Sequence, residues 1–170
     1  DGHDVLLPWC TDRVSVFVGR RSAAGDSLSL GEIGTLAASL VRGVREIGVR
    51  PSAGEWWLAD DGRPLFVFCG GPTARESAAA VIESLTADVT DRAAQRVLGT
   101  IEHGLRQPRV GTGEEERWEH DLFEIAAPRP LGIEPAQVTV EEHEDPVLLR
   151  SATSQSAAEH PMRRRVPRAS

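Results

Sequence analysis

One stretch constrains the fold more than any other: residues 29–48, which read SLGEIGTLAASLVRGVREIG. Its apolar residues recur at spacings of three and four, as on one face of an α-helix: Ile33, Leu36, Leu40, Val44 and Ile47. Ser29 and Glu32 have the spacing of a capping box, which satisfies the first free N–H groups of a helix. Gly48 suits the positive φ that ends many helices. The sequence therefore predicts one long helix whose apolar face packs on a core.

A second strong signal is an Asp-Asp-Gly turn at 60–62 between two apolar runs. Asp bonds back to its own backbone and Gly accepts positive φ, so this tripeptide favours a tight turn. Residues 56–58 and 65–68 are then the arms of a β-hairpin. Trp56 and Trp57 are adjacent and should face opposite sides of the strand. We expect one ring in the core, and both residues are candidates for partner binding.

Shorter signals predict the remaining elements and an α+β fold for residues 1–125. These are strands at 4–7 and 13–19 joined at Cys10-Thr11-Asp12, a chain break at Gly70-Gly71-Pro72, a helix capped by Thr73 and Glu76, and helices at about 91–106 and 114–125. Residues 126–150 are acidic and proline-rich, which predicts an extended strap with a strand at 137–141. Residues 151–170 have the composition of a mobile, disordered basic tail.

Composition limits the chemistry that this chain can perform. All 19 basic residues are arginine, and lysine, asparagine and tyrosine do not occur. Without lysine there is no Schiff-base amine and no amine to hold a phosphate as a P-loop does. A net charge of −7 argues against non-specific nucleic-acid binding. Cys10 and Cys69 do not make a disulfide framework, so we expect reduced thiols in a cytosolic domain.

Two groups of acidic side chains have spacings that a cation could use. Glu55 lies near the carboxylates of the 60–62 turn, but solvated turn carboxylates are the simpler interpretation without a closed oxygen cage. The second group shares one helical face at four-residue spacing: Glu116, His120 and Glu124. An exposed acidic helix is a simpler interpretation of that face than a zinc site. We therefore predict no metal and no cofactor.

The order of these elements resembles the middle of a protein kinase, from its fourth strand into the large lobe. The local match is to actinobacterial serine/threonine kinases and covers roughly residues 4–105. Residues 14–49 resemble the hinge strand, the hinge and the first long helix of the large lobe. Residues 55–70, EWWLADDGRPLFVFCG, resemble the hairpin that leads into the metal-binding Asp-Phe-Gly. The resemblance implies a partial kinase-like fold: a strand pair and hinge, then a mainly helical lobe with a short hairpin.

The residues that perform phosphoryl transfer in that family have no counterparts here. Kinases use an Asp as base, an Asn and an Asp to hold magnesium, and a strand lysine to grip the phosphates. Counting back from Gly62, the Asn position is Glu55. The Asp-Phe-Gly position is Phe68-Cys69-Gly70, and the shortened catalytic-loop segment contains no Asp. The resemblance therefore implies a degenerate, pseudokinase-like domain that is not an enzyme.

These observations favour a non-catalytic binding or regulatory module whose partner is a protein. Four arginines near the end of the sequence fit a solvated tail or the cytoplasmic flank of a membrane helix: Arg163, Arg164, Arg165 and Arg168. We therefore expect the cytoplasmic part of a longer, membrane-associated bacterial protein. The alternative is an unrelated small α+β protein-interaction domain. A working kinase would require catalytic groups from outside this sequence.

Overall fold

The computed structural model describes residues 10–48, 53–111 and 113–133. Its elements are β1 (Cys10–Arg13), α1 (Val14–Ala23), α2 (Leu30–Ile47), β2 (Ala53–Ala59), β3 (Pro64–Thr73), α3 (Ala74–Asp88), α4 (Arg92–Arg106) and α5 (Glu114–Ile125). The strands form one antiparallel sheet in the order β1-β2-β3. The predicted α+β class is confirmed.

Helix α2 has the ends that its sequence predicts. The Glu32 N–H donates to the Ser29 hydroxyl at 3.4 Å, and the Ser29 N–H donates to the Glu32 carboxylate at 2.9 Å. Gly48 ends the helix with φ of +69°. The apolar face includes Leu36 and Leu40, both fully buried. It contributes to the single hydrophobic core that α2 shares with α3 and α5.

The predicted strand at 13–19 is wrong, because Val14–Ala23 is the helix α1. Its alternating valines are typical of a strand, yet the buried residues are Val14, Phe17 and Val18. These positions are i, i+3 and i+4, which is the spacing of one helical face. Burial of that face against the core outweighs the preference of β-branched residues for strands.

The Cys10-Thr11-Asp12 segment, predicted as a hairpin link, lies within β1. β1 pairs with β2, which follows α2 in the chain, and not with a preceding strand. The partner strand predicted at 4–7 lies outside the described residues.

The hairpin of β2 and β3 is confirmed and is longer than predicted. Its turn contains Gly62 at φ of +85°, a conformation that L side chains rarely adopt. The paired positions are Leu58 with Pro64, Trp57 with Leu65, Trp56 with Phe66, Glu55 with Val67, and Gly54 with Phe68. The next pair is Ala53 with Thr73, so residues 69–72 form a bulge. The break predicted at 70–72 is therefore wrong as a strand end.

The helices after the hairpin follow the sequence closely. Thr73 and Glu76 form the predicted capping box of α3, and Asp91 caps α4 through the N–H of Ala94 at 2.8 Å. Trp118 of α5 is buried with its ring against Gly104 of α4, where any side-chain carbon would collide with it. The absence of a side chain at Gly104 thus allows the Trp118 ring, and with it α5, to pack closely on α4.

Residues 126–133 contain no helix or strand and run along the start of α2. The Arg129 N–H donates to the Gly31 carbonyl at 3.1 Å, and the Gly132 N–H donates to the Glu32 carboxylate at 3.3 Å. Contacts divide the chain into units 1–136 and 137–170. The predicted strand at 137–141 and the tail at 151–170 lie outside the described residues.

Candidate functional site

The β2–β3 hairpin has two faces of different chemistry, because residues paired across an antiparallel ladder share a face. The inner face, toward α2 and α3, contains Gly54, Trp56, Leu58, Phe66 and Phe68. The outer face contains Glu55, Trp57, Leu65 and Val67. The two tryptophans, both candidates for partner binding, therefore lie on opposite sides of one strand.

Trp56 is the inward ring and is only 3% exposed. Its indole N–H donates to the Ala74 carbonyl at 3.1 Å, which satisfies its polar group inside the core. The ring lies over Gly43 of α2, where a Cβ would be 2.6 Å from it. Phe66 packs beside it with ring centroids 5.1 Å apart. Trp56 therefore joins the hairpin to α2 and presents almost no surface to a partner.

Trp57 lies on the outer face, where a cation covers part of its ring. Arg13 of β1 pairs with Trp57, and its guanidinium carbon is 5.4 Å from the ring centroid. The Arg13 Nε also lies 3.0 Å from the carboxylate of Glu55. Trp57 is half-buried. It remains the tryptophan that a partner could reach.

The four residues that the kinase resemblance singles out, Glu55, Phe68, Cys69 and Gly70, lie close together along β2 and β3. Glu55 pairs with Val67, and the next pair contains Phe68. Glu55 and Phe68 therefore occupy neighbouring rungs but opposite faces, so the two cannot share a ligand. The Glu55 carboxylate is held by Arg13, and Phe68 is an apolar ring. Cys69 and Gly70 follow in the bulge, and both are exposed.

Phe68 is 67% exposed although it lies on the inner face. It packs its edge on Phe66 with ring centroids 5.4 Å apart, which continues the row that begins at Trp56. Gly54 makes room for this row, since a Cβ there would be 2.8 Å from the Phe66 ring. The three rings thus run from the buried core at Trp56 to the solvent at Phe68.

Sequence reasoning missed one feature of this surface, an open cleft of about 290 Å³ between α1, β2 and α3. The residues that line it include Ser15, Trp56, Ala80, Val81 and Ser84. The contributing segments are far apart in the chain, and no local pattern marks them. Only the repeat of small residues on α3 could have indicated that this helix face has little cover.

Several of the side chains weighed as cation ligands form hydrogen bonds or ion pairs with neighbouring side chains. Hydrogen bonds from the Arg63 backbone N–H and guanidinium lower the pKa of Asp61. Glu116 lies 3.0 Å from Arg45, while His120 and Glu124 lie 3.2 Å apart. Across the part of the chain that the structure describes, no group of three or more His, Cys, Asp or Glu side chains could hold a metal ion.

The arginines expected near a membrane, at 163–165 and 168, lie outside the described residues. Among the helices at 10–48, 53–111 and 113–133, none is both long and apolar enough to cross a bilayer. Comparison with protein-family models, with curated proteins and with solved structures finds no match to this chain.

Proposed function

We propose that this chain is a non-catalytic, kinase-like binding module and that its partner is a protein. The observation that carries the proposal is Phe68. Under the resemblance this position requires a metal-binding Asp, and here it is an apolar ring that is 67% exposed. Catalysis of phosphoryl transfer depends on metal ions that neutralise charge on the phosphates. An exposed phenyl ring cannot do this, but it can contact another protein.

The other degenerate position supports the same proposal. Glu55 stands where the resemblance requires an Asn that binds magnesium. Its carboxylate is paired with Arg13 at 3.0 Å on the outer face, away from Phe68. A magnesium ion would have to break that pair, and the described residues of β2 and β3 on this face provide no second carboxylate.

The order of elements agrees with kinase ancestry in outline. A strand, a connection, a long helix and a hairpin at Asp-Gly-Arg-Pro follow one another in both. With α1 helical, β1 (Cys10–Arg13) takes the place of the hinge strand, and α1 becomes part of the connection to α2. This assignment is part of the proposal.

A protein partner is favoured by where apolar surface is exposed. In the described residues the large exposed hydrophobics are Val16, Val67 and Phe68, and two of these are neighbours on β3. β3 is also an edge strand of the three-stranded sheet. Edge strands with apolar side chains are sites where another chain can add. We place the module on the cytoplasmic side of a membrane-associated bacterial protein, because of its two thiols and its terminal arginines.

The first experiment measures nucleotide binding by thermal unfolding. Magnesium and ATP should leave the melting temperature unchanged, because the residues that the structure describes contain no cluster of metal-ligating side chains. A ligand at 100 times its dissociation constant would add about 2.7 kcal/mol, which such a measurement detects easily. A magnesium-dependent rise in the melting temperature would contradict the non-catalytic proposal.

The second experiment tests the partner surface. A photo-crosslinking residue replaces Phe68 in one variant and Arg92, an exposed residue of α4, in the control variant. A partner recovered from position 68 and not from position 92 supports the proposed surface. Equal recovery from both positions contradicts it.

The alternative is an unrelated small α+β interaction domain. The observation in its favour is α1, because the segment that resembles a hinge strand is a helix. The parent gene separates the two ideas. An upstream segment that encodes a glycine-rich loop and a strand lysine supports kinase ancestry, and a different upstream domain supports the alternative.

A further inference from the structure

A second cleft, of about 400 Å³, lies where the end of α2, the start of α3 and the α4–α5 loop meet. Three arginines line it, Arg45, Arg75 and Arg109. One carboxylate, Glu115 of α5, lines it as well. Apolar wall is supplied by Val44 and Val110. A concentration of positive charge is unusual in a chain whose net charge is −7.

The guanidinium groups keep donors available. Arg75 uses its Nε and Nη2 to donate to the carbonyls of Leu105, Gly104 and Gln107, at 2.7–3.1 Å. These bonds fix the Arg75 guanidinium at the end of α4 and leave its Nη1 without an acceptor in the described part of the chain. Within the same residues, the Arg109 side chain has no hydrogen bond or ion pair. The cleft is thus lined by Arg75, whose guanidinium is held by hydrogen bonds, and by Arg109, whose side chain has no partner among the described residues.

Two acidic side chains near the cleft offset part of the charge of its three arginines. Glu116 pairs with one nitrogen of Arg45, at 3.0 Å. Glu115 has no hydrogen bond or ion pair within the described residues. Burial raises the pKa of Glu115, against the opposing effect of Arg45 and Arg75. Of the residues that line the cleft, Glu115 is the one whose ionised side chain would repel an anion.

We propose that this cleft binds a phosphate monoester. Guanidinium forks match the oxygen geometry of phosphate and give strong, charge-assisted hydrogen bonds. The volume is at the lower end of the range for small-molecule sites and exceeds what a phosphate group alone would fill. Val44 and Val110 then provide apolar surface for the stem that carries the phosphate. The site is separate from β3, so it stands or falls independently of the proposed partner surface.

The experiment is a calorimetric titration of the full chain with phenyl phosphate in a phosphate-free buffer. Arg109→Gln should weaken binding about tenfold or more, because it removes charged hydrogen bonds. Glu115→Gln should tighten binding, because it removes the opposing charge at constant shape. The matched control is Arg96→Gln, an exposed arginine of α4 outside the cleft, which should leave binding unchanged.

Three outcomes would overturn the proposal: no saturable binding of phenyl phosphate, equal losses in the Arg109 and Arg96 variants, or weaker binding in the Glu115 variant. Circular dichroism of each variant confirms that it is folded. Two further ligands identify the source of the phosphate. Tighter binding of a phosphoserine peptide than of phenyl phosphate supports a phosphorylated side chain, and the reverse supports a small metabolite. Inorganic phosphate that binds as tightly as both esters would overturn the monoester assignment.

Discussion

Trp56 and Trp57 are adjacent residues of the same type, yet they lie in different environments because they are on opposite faces of the β2–β3 hairpin. The inner ring is 3% exposed, seated on a glycine of α2, and its N–H is bonded to a buried carbonyl. The outer ring is half-buried and shares its surface with a guanidinium and a carboxylate. The difference teaches that position on the sheet, and not residue type, decides whether an aromatic ring stabilises the fold or remains available to a partner.

The largest test of this contrast is Trp56→Ala. It removes a large buried ring and leaves a cavity between the hairpin and α2, so we expect a loss of roughly 3–5 kcal/mol in the free energy of unfolding. Chemical denaturation measures it, read as a lower midpoint at unchanged slope. A loss under 1 kcal/mol, or about the same as for Trp57, would remove the distinction between the faces.

The next largest effect on stability is expected at Gly43, the residue of α2 that the Trp56 ring contacts. Gly43→Ala places a Cβ 2.6 Å from the Trp56 ring. Overpacking of this kind costs about 1–3 kcal/mol. The higher helix propensity of alanine offsets about 1 kcal/mol of that cost. We therefore expect a net destabilisation. The matched control is Gly99→Ala on α4, where a Cβ meets nothing within 4 Å and propensity alone should stabilise.

A double-mutant cycle sharpens this result. In the Trp56→Ala background, Gly43→Ala should become neutral or stabilising, because the ring it collides with is gone. Additive losses would mean that the two residues do not depend on each other.

On the outer face, Trp57→Ala should cost about 1 kcal/mol or less. The ring is partly exposed, and its contact with Arg13 is of a kind worth about 0.5–1 kcal/mol at an exposed site. Urea denaturation of Trp57→Ala, of Arg13→Met and of the double variant measures the interaction free energy between the two side chains. A loss close to that of Trp56→Ala would place the outer ring in the core.

The ion pair between Arg42 of α2 and Glu119 of α5 is exposed, so we expect it to contribute little to stability. The Arg42 Nε donates to the Glu119 carboxylate at 2.8 Å and lowers the pKa of that group from its ordinary value near 4.5. A depressed pKa contributes stability above the unfolded-state value, and this is lost as the pH falls through the folded-state value. Glu119→Gln should therefore cost about 0.5 kcal/mol at pH 7 and nothing in strong acid. An unchanged difference at both pH values would contradict the pair's contribution.

The smallest effect on stability is expected from Phe68→Ser. The ring is 67% exposed, so the free energy of unfolding should change by no more than about 0.5 kcal/mol. The same variant should abolish binding of the partner in a direct binding measurement without a crosslinker if Phe68 is a recognition residue. A large loss of stability with no effect on partner binding would make the ring structural.

Much of the fold could be predicted from local pattern, and the exceptions have physical causes. The capping boxes at Ser29 and Thr73 and the turn at Gly62 are signals within a few residues, and each was located correctly. The error at 13–19 arose because VSVFV fits a strand by alternation and a helix by its buried positions 14, 17 and 18. Which pattern applies depends on the core that the segment meets, and that core comes from distant segments.

The site was less predictable than the fold. The alternation of side chains along a strand predicts that Trp56 and Trp57 lie on opposite faces, but not which of them contacts Gly43. The arginine cleft draws on three separated segments of the chain, and each arginine alone resembles a solvated surface residue. Sequence reasoning identifies side chains that could do chemistry, while long-range packing decides which of them meet.

The Trp–Gly contacts also carry an evolutionary consequence. Trp56 lies on Gly43 and Trp118 lies on Gly104, and in both cases a side-chain carbon on the glycine would collide with the ring. Each pair joins two different elements, so neither member can drift without the other. We expect homologous sequences to vary these positions jointly, with a smaller aromatic or aliphatic residue wherever the glycine has become alanine. Such paired changes would trace the ancestry of this domain even where its surface residues have diverged completely.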